Sequence, residues 1–306
     1  MDAIFLIEQL LNGLGYGLML FLLAAGLTLV FGIMDTMNLA HGSLYMVGAY
    51  IAAQVHERSG SFVGAVFMAM AATVVIAFVL EMLVVRRIYS RGHLAQVIAT
   101  FGIILIADDL VKAIWGPAPM LASTPAALAG PVQLLAELPY PAYRLAMLAV
   151  GLLVALGLYL LVNHTRIGML VRAGASNRAM AECMGVRVDG VFSFIFALGA
   201  ALAALAGAMM GPISAVQIGM GEAILIPALV VIVIGGIGSI RGAFVAALLV
   251  GLVDTAGRAF LPPALRAVLP PALAADLGPA LAGIAMYVLM AAVLILKPAG
   301  LFPARA

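Results

Sequence analysis

Long apolar runs separated by short polar interruptions dominate the chain. Uncharged runs occupy Leu14–Met34, Phe62–Leu80, Leu145–Val162, Gly190–Gly221, Ala223–Ile240 and Leu277–Leu296. Each has about the length a bilayer-crossing helix needs, roughly 20 residues. Three shorter runs, Gly42–Val55, Leu94–Ala107 and Gly242–Val253, have the length of buried or re-entrant segments. They reach full span only by taking in Asp108 and Asp109, or Asp254, or another polar residue. A spanning segment must satisfy its own backbone hydrogen bonds, as a helix does, and the alternating segments of a barrel are absent. The pattern predicts an all-α polytopic integral membrane protein with about eight or nine transmembrane or re-entrant helices.

Lys and Arg in the short loops orient such a chain, because cytoplasmic loops are enriched in them. One set of alternate loops carries Arg86, Arg87, Arg91, Arg166, Arg172, Arg178, Arg187, Arg241, Lys297 and Arg305. The other carries Arg58, Lys112, Arg144, Arg258 and Arg266, together with most of the acids. The first set is expected in the cytoplasm, with the C-terminus. Nine segments put the N-terminus outside; eight put it inside. Pro117–Tyr143 reads as an external loop and His164–Asp189 as the longest cytoplasmic one, with a short helix near Ala179–Met184. No linker divides residues 1–306, which read as one domain.

Composition agrees. The chain is 66% hydrophobic and 9% charged, against about 25% charged in soluble domains. A net charge of +2 gives no basis for nucleic-acid binding. Cys183 is the one cysteine, so no internal disulfide forms. Asp2 and Glu8 do not suit the basic start of a cleavable signal sequence.

Absent chemistry narrows the function. Neither Lys112 nor Lys297 follows a glycine, so no phosphate-binding P-loop exists. His41, His56, His93 and His164 lack metal-ligand spacing, and no serine sits in a nucleophile elbow. No catalytic residue, metal site or cofactor of its own is expected. Ion-coupled transporters place ionisable residues at mid-depth. Here Glu81 lies near one helix end, and Asp108 and Asp109 lie near another. Lys112, four residues after Asp108, has the spacing of a helical ion pair; the pair either anchors a helix end or stands at a solute entrance.

Asp35–Tyr45 is the most polar interruption in the first third. It is either an ordinary cytoplasmic turn with Asn38 as helix cap, or a break that lines a path with Asn38, His41, Gly42 and Tyr45. Broken helices expose backbone donors that receive a carboxylate. The cluster Gly235-Gly236-Ile237-Gly238 follows no strand and reads as a tight turn. Gly207 and Gly211 have small-x-x-x-small spacing, suited to close packing inside the chain or against a second subunit. Phe31–Tyr50 and Ile234–Val253 share a helix, glycine loop, basic-Gly pair and helix (His41-Gly42 and Arg241-Gly242), the outline of an internal repeat. The 18 methionines read as gap-fillers.

Three pieces carry a family resemblance: Asn38-Leu39-Ala40-His41-Gly42 with Tyr45–Tyr50; the loop Arg172–Gly185; and Gly235–Ser239 with Gly242-Ala243. With these the chain resembles the branched-chain amino acid (LIV-type) permeases of ATP-binding cassette importers, nearly end to end. The resemblance implies a coupling helix in segment 164–189 that docks on an ATPase, with Arg172, Arg178, Ala179, Ala181 and Gly185 at the contact. Ala179 stands where the family's coupling pattern has Glu, and a later Leu-Pro is missing. It also implies two ATP-binding subunits holding ATP and Mg, a second permease subunit, and a periplasmic or lipid-anchored solute-binding protein. The implied setting is the bacterial inner membrane, with surrounding lipid. Branched-chain amino acids are the default solute; urea, amides and aromatic acids serve relatives. The competing expectation is an ion-coupled secondary transporter or channel that works without an ATPase.

Overall fold

The structure is a computed structural model that describes residues 3–302, apart from 35, 37, 89, 90, 136, 137 and 177. Twelve α-helices follow in order: α1 (Ala3–Met34), α2 (His41–Ser59), α3 (Phe62–Leu80), α4 (Arg86–Ile88), α5 (His93–Trp115), α6 (Ala142–His164), α7 (Arg166–Ser176), α8 (Arg178–Cys183), α9 (Val188–Met210), α10 (Met220–Gly235), α11 (Ile240–Arg266) and α12 (Pro271–Leu296). A π-helical turn, Glu81–Val85, joins α3 to α4 as one rod, Phe62–Ile88. A hairpin, β1 (Pro131–Leu135) with β2 (Leu138–Pro141), lies between α5 and α6.

Among the described residues, six rods are long and apolar enough to cross a membrane: Ile4–Gly32 in α1, Phe62–Ile88, α6, α9, α11 and α12. The chain is thus a helical, multi-pass membrane protein. Helices α1 and α9 form its centre, with Leu18–Ala25 and Ala203–Ala206 nearly all sealed by protein. The others face outward with bare apolar side chains, such as Val63, Phe67, Leu153 and Ile295. Lipid accepts such a surface, and the helix meets the backbone's needs internally.

Glycine lets the central helices touch backbone to backbone. Gly17 of α1 lies against the Ala247 carbonyl of α11, where a Cβ would come within 2.7 Å of the oxygen. Gly207 of α9 lies against the Tyr45 carbonyl of α2, where a Cβ would come within 2.1 Å. The Gly207 contact is therefore internal. Gly211 also packs within the chain, on Val216 and Ala122.

The chain contains an inverted repeat, in a register different from the one the sequence suggested. Gly60-Ser61-Phe62-Val63-Gly64-Ala65 matches Gly238-Ser239-Ile240-Arg241-Gly242-Ala243. In both, the glycine has positive φ (68° and 81°). In both, the serine hydroxyl caps the next helix by accepting from the glycine N–H, at 3.2 and 3.1 Å. The rods that follow each have 27 residues, and the next helix starts at the same interval, at His93 and Pro271. So α2–α3–α5 corresponds to α10–α11–α12. The two capped turns lie on opposite faces. Phe62 packs on Tyr143, whose hydroxyl donates to the Met209 carbonyl at the end of α9. The second turn instead meets the end of α1, with Gly238 against Gly32. His41-Gly42 and Arg241-Gly242, paired by the sequence outline, are not equivalent.

Two straps hold α10. Before it, Val216 exchanges backbone hydrogen bonds with Met120 of the α5–α6 connection (2.8 and 2.9 Å). After it, the carbonyls of Ile234 and Gly235 accept from Leu301 and Phe302 (2.8 and 3.1 Å).

Gly207→Ala is expected to lower thermal stability in detergent by several degrees, since overpacking a close contact costs about 1–3 kcal/mol. Gly283→Ala, whose Cβ would enter open space, is expected to leave the melting temperature within about a degree. Equal melting of the two variants would show that the α2–α9 contact yields without cost.

Candidate functional site

The break between α1 and α2 is buried. Thr36, Asn38, Ala40, His41, Ser43 and Tyr45 are all sealed from solvent; residues 35 and 37 lie outside the described set. Thr36 Oγ1 donates to the Met34 carbonyl at 2.9 Å, and Asn38 Oδ1 accepts from the Ala40 N–H at 3.1 Å. These side chains thus satisfy backbone groups that the interrupted helix releases. Of the two sequence readings, the structure has the break inside the bundle, not a solvent-exposed turn.

Its depth follows from contacts. The His41 ring packs between Gly26 of α1 and Gly199 of α9, with Nε2 2.9 Å from where a Gly26 Cβ would stand. Gly199 is midway along α9 (Val188–Met210), so α2 begins near mid-depth. Gly42 meets Gly221 there: a Cβ on either would come within 2.4–2.5 Å of the other's carbonyl oxygen. The first turns of two short helices, equivalent in the repeat, therefore abut at the centre. Helix N-termini carry partial positive charge and free N–H groups. Around them Thr28 Oγ1, Asn38 Nδ2, His41 Nε2 and Ser43 Oγ have no hydrogen-bond partner among the described residues. Tyr45, a turn further on, gives its carbonyl face to Gly207.

Asp254, in α11, is neutralised by Arg258 at 2.8 Å, one turn later. Glu81, on the π-turn and almost wholly buried, accepts from Arg86 Nε at 3.2 Å. Arg86 also donates to Ser193 Oγ (2.9 Å), which donates to Glu81 Oε2 (3.2 Å). This clasp ties α3–α4 to the start of α9. The expected Asp108–Lys112 pair does not form; the Asp108 carboxyl lies against that of Glu222 in the first turn of α10.

Segment 164–189 forms two helices between α6 and α9, on the face where α1 ends. Thr165 Oγ1 caps α7 through the Gly168 N–H at 3.2 Å, and Arg172 reaches back to donate to the Val162 carbonyl. Helix α8 stops at Gly185 (φ 85°). Val186 N–H reaches the Ala181 carbonyl and Gly185 N–H the Glu182 carbonyl, both at 3.0 Å, the Schellman arrangement that favours glycine. The side chains of Arg178 and Ala179, and residue 177, lie outside the described set. Ala181 is buried against the body of the protein, so it is not on the outward surface; Met180 (62% exposed) and Met184 (77%) are. The sequence reading gave these methionines no weight. Their spacing of one helical turn in a polar loop was the available signal.

Against this geometry, the comparisons are direct. The family model for the permease component of branched-chain amino acid transport systems matches residues 9–295. The chain belongs to that family. The LivH permease protein of a high-affinity branched-chain amino acid transport system from Salmonella typhimurium is 27% identical over 276 residues, covering 84% of this chain and 88% of the relative. The corresponding BraD protein of Pseudomonas aeruginosa is 28% identical over 280 residues (82% and 86%). A solved ABC transporter assigned to the metal-chelate type, inward-facing, overlaps with TM-score 0.46 and 17% identity, over 92% of this chain and 85% of that one.

Arg86→Ala, which removes the cationic partner of the buried Glu81 carboxylate, is expected to destabilise the protein by about 1–3 kcal/mol, more than Glu81→Gln, which keeps an acceptor for Arg86. Thermal unfolding in detergent compares them; a milder effect for Arg86→Ala would show that the arginine does not hold the clasp.

Proposed function

We propose that the chain is the membrane-spanning permease subunit of an ATP-binding cassette importer for branched-chain amino acids or a related small neutral or zwitterionic solute. Family membership over residues 9–295 carries this reading. In it, residues 1–306 act as one transmembrane unit of nine crossing segments: the six long rods with α2, α5 and α10. The face where α1 ends bears Arg86, Arg87, Arg91, Arg166, Arg172, Arg187, Arg241 and Lys297, and is the cytoplasmic face of the inner membrane. The C-terminus lies there and the N-terminus outside.

Helices α7 and α8 stand on that cationic face and form the contact with the ATPase. Met180 and Met184 supply adaptable apolar knobs, Arg172 and Arg178 supply charge, and Gly185 sets the chain's exit angle. ATP and Mg belong to the two ATP-binding subunits. A second permease subunit completes the pathway, and a solute-binding protein delivers from the outer face. The abutting N-termini of α2 and α10 then form the mid-membrane polar point past which the solute carboxylate moves as access alternates.

Purification with the native partners, followed by reconstitution into vesicles, tests the proposal. Recovery of ATPase subunits and leucine uptake that requires ATP support it; recovery of the chain alone, with uptake driven by an ion gradient, overturns it. Gly185→Leu or Arg178→Glu is expected to cut uptake roughly tenfold or more while ATP hydrolysis continues and membrane insertion is unchanged, because a non-Gly residue at positive φ costs about 1–2 kcal/mol and re-aims the chain. Normal uptake in both variants would remove the coupling role. Asn38→Leu and His41→Leu are expected to slow uptake severalfold with assembly intact; wild-type rates would take the break out of the path.

A further inference from the structure

Four buried polar atoms gather between the central Gly42–Gly221 contact and the N-terminal face. Asp108 Oδ1 and Trp115 Nε1 of α5, Glu222 Oε2 of α10 and Tyr50 Oη of α2 accept or donate no hydrogen bond among the described residues. They are neighbours. The Asp108 and Glu222 carboxyls lie within hydrogen-bonding reach of each other, a bond that forms only when one of them holds a proton, the Tyr50 hydroxyl lies within the field of Asp108, and the Tyr50 and Trp115 ring centroids are 5.2 Å apart at 42°. Tyr50 is wholly buried. Asp108 and Glu222 themselves are only partly covered, so the pair is open on one side.

Two carboxylates in contact cannot both stay ionised without a positive charge between them. Aromatic faces beside them attract the same kind of charge. No group of three metal-ligating side chains forms among the described residues, so hydrogen bonding, not coordination, suits the cation. A primary ammonium has three donors, matching Asp108, Glu222 and the Tyr50 oxygen, while Trp115 Nε1–H remains to donate to a carboxylate. We propose that Asp108 and Glu222, roofed by Tyr50 and Trp115, form an ammonium-binding site that receives the α-ammonium of an amino-acid solute between the Gly42–Gly221 contact and the N-terminal face. The proposal rests on the permease reading for the solute's identity.

Trp115 is the only tryptophan in the chain and reports on the site. The affinity-purified protein, with whatever subunits accompany it, is titrated with leucine, with 3-methylbutylammonium (leucine without its carboxylate) and with 4-methylpentanoate (leucine without its ammonium). A Trp115→Phe preparation serves as the blank. Saturable emission changes are expected for leucine and the amine, with midpoints roughly tenfold or more below that of the acid, and Asp108→Asn or Glu222→Gln raises those midpoints by a similar factor. Equal response to the acid and the amine, no response to any of the three, or unchanged midpoints in both variants overturns the site. Where the variants fail to assemble, the three-compound comparison on the wild type decides. Absence of ATP-driven leucine uptake by the same wild-type preparation overturns the permease reading separately, leaving the amine titration to judge the site.

Discussion

A bilayer offers no partner for a backbone N–H or C=O, so a chain can leave the helix inside it only where other protein covers the gap. The centre of this molecule is organised around that constraint. Between Met34 and His41 the backbone turns back within the bundle, and it can do so because Thr36 and Asn38 take up released groups. Gly26, Gly199 and Gly221 let three other helices close over it. A single methyl at Gly26 or Gly221 would push apart the elements that shelter the break, and one at Gly199 would ask the His41 ring to give by a few tenths of an ångström. The polar function and the packing of the core are therefore one feature, not two.

The inverted repeat explains why the break sits where it does. Equivalent helices α2 and α10 run in opposite directions from a shared starting level, and their N-termini meet at Gly42 and Gly221. Partial positive charge from both helices is thereby concentrated at one depth, without a single lysine or arginine being placed in the membrane centre. A site of that kind attracts an anionic group without trapping it, as transport requires. Glu81 is held in its clasp with Arg86 and Ser193 and Asp254 against Arg258, whereas Glu222, next to Gly221 in the first turn of α10, lies close to this level and is paired with Asp108.

Much of this was legible in the sequence. Run lengths gave the helices, the basic loops gave one cationic face, and the polar segment from Thr36 to Tyr45 marked the break. Gly185 marked the end of α8. What the sequence hid depends on tertiary contact. Glu222 stands alone between two apolar runs and reads as a loop acid, because its partner Asp108 is brought near only when α5 and α10 both pack against α2. The repeat was sought around His41-Gly42, whereas its signal is the short capping motif Gly-Ser-x-x-Gly-Ala, which directs structure through one hydroxyl and one positive-φ glycine. The family resemblance put Ala181 among the contact residues; in the fold its side chain is buried while Met180 and Met184 are exposed, because which side of a short helix faces outward is decided by tertiary packing.

The two straps on α10 give that helix an unusual mechanical standing. Each is the tail that follows the last helix of one repeat half: Met120 after α5, and Leu301–Phe302 after α12. One grips the approach to α10 and the other grips its exit, from opposite sides of the membrane. A rod pinned at both ends does not swing like a door. It moves as the connecting link between two larger bodies, and its small displacements are the difference between theirs. Any relative motion of the two halves is thus delivered to the Gly42–Gly221 contact as a shift along or about α10, at the level where the two helix ends meet.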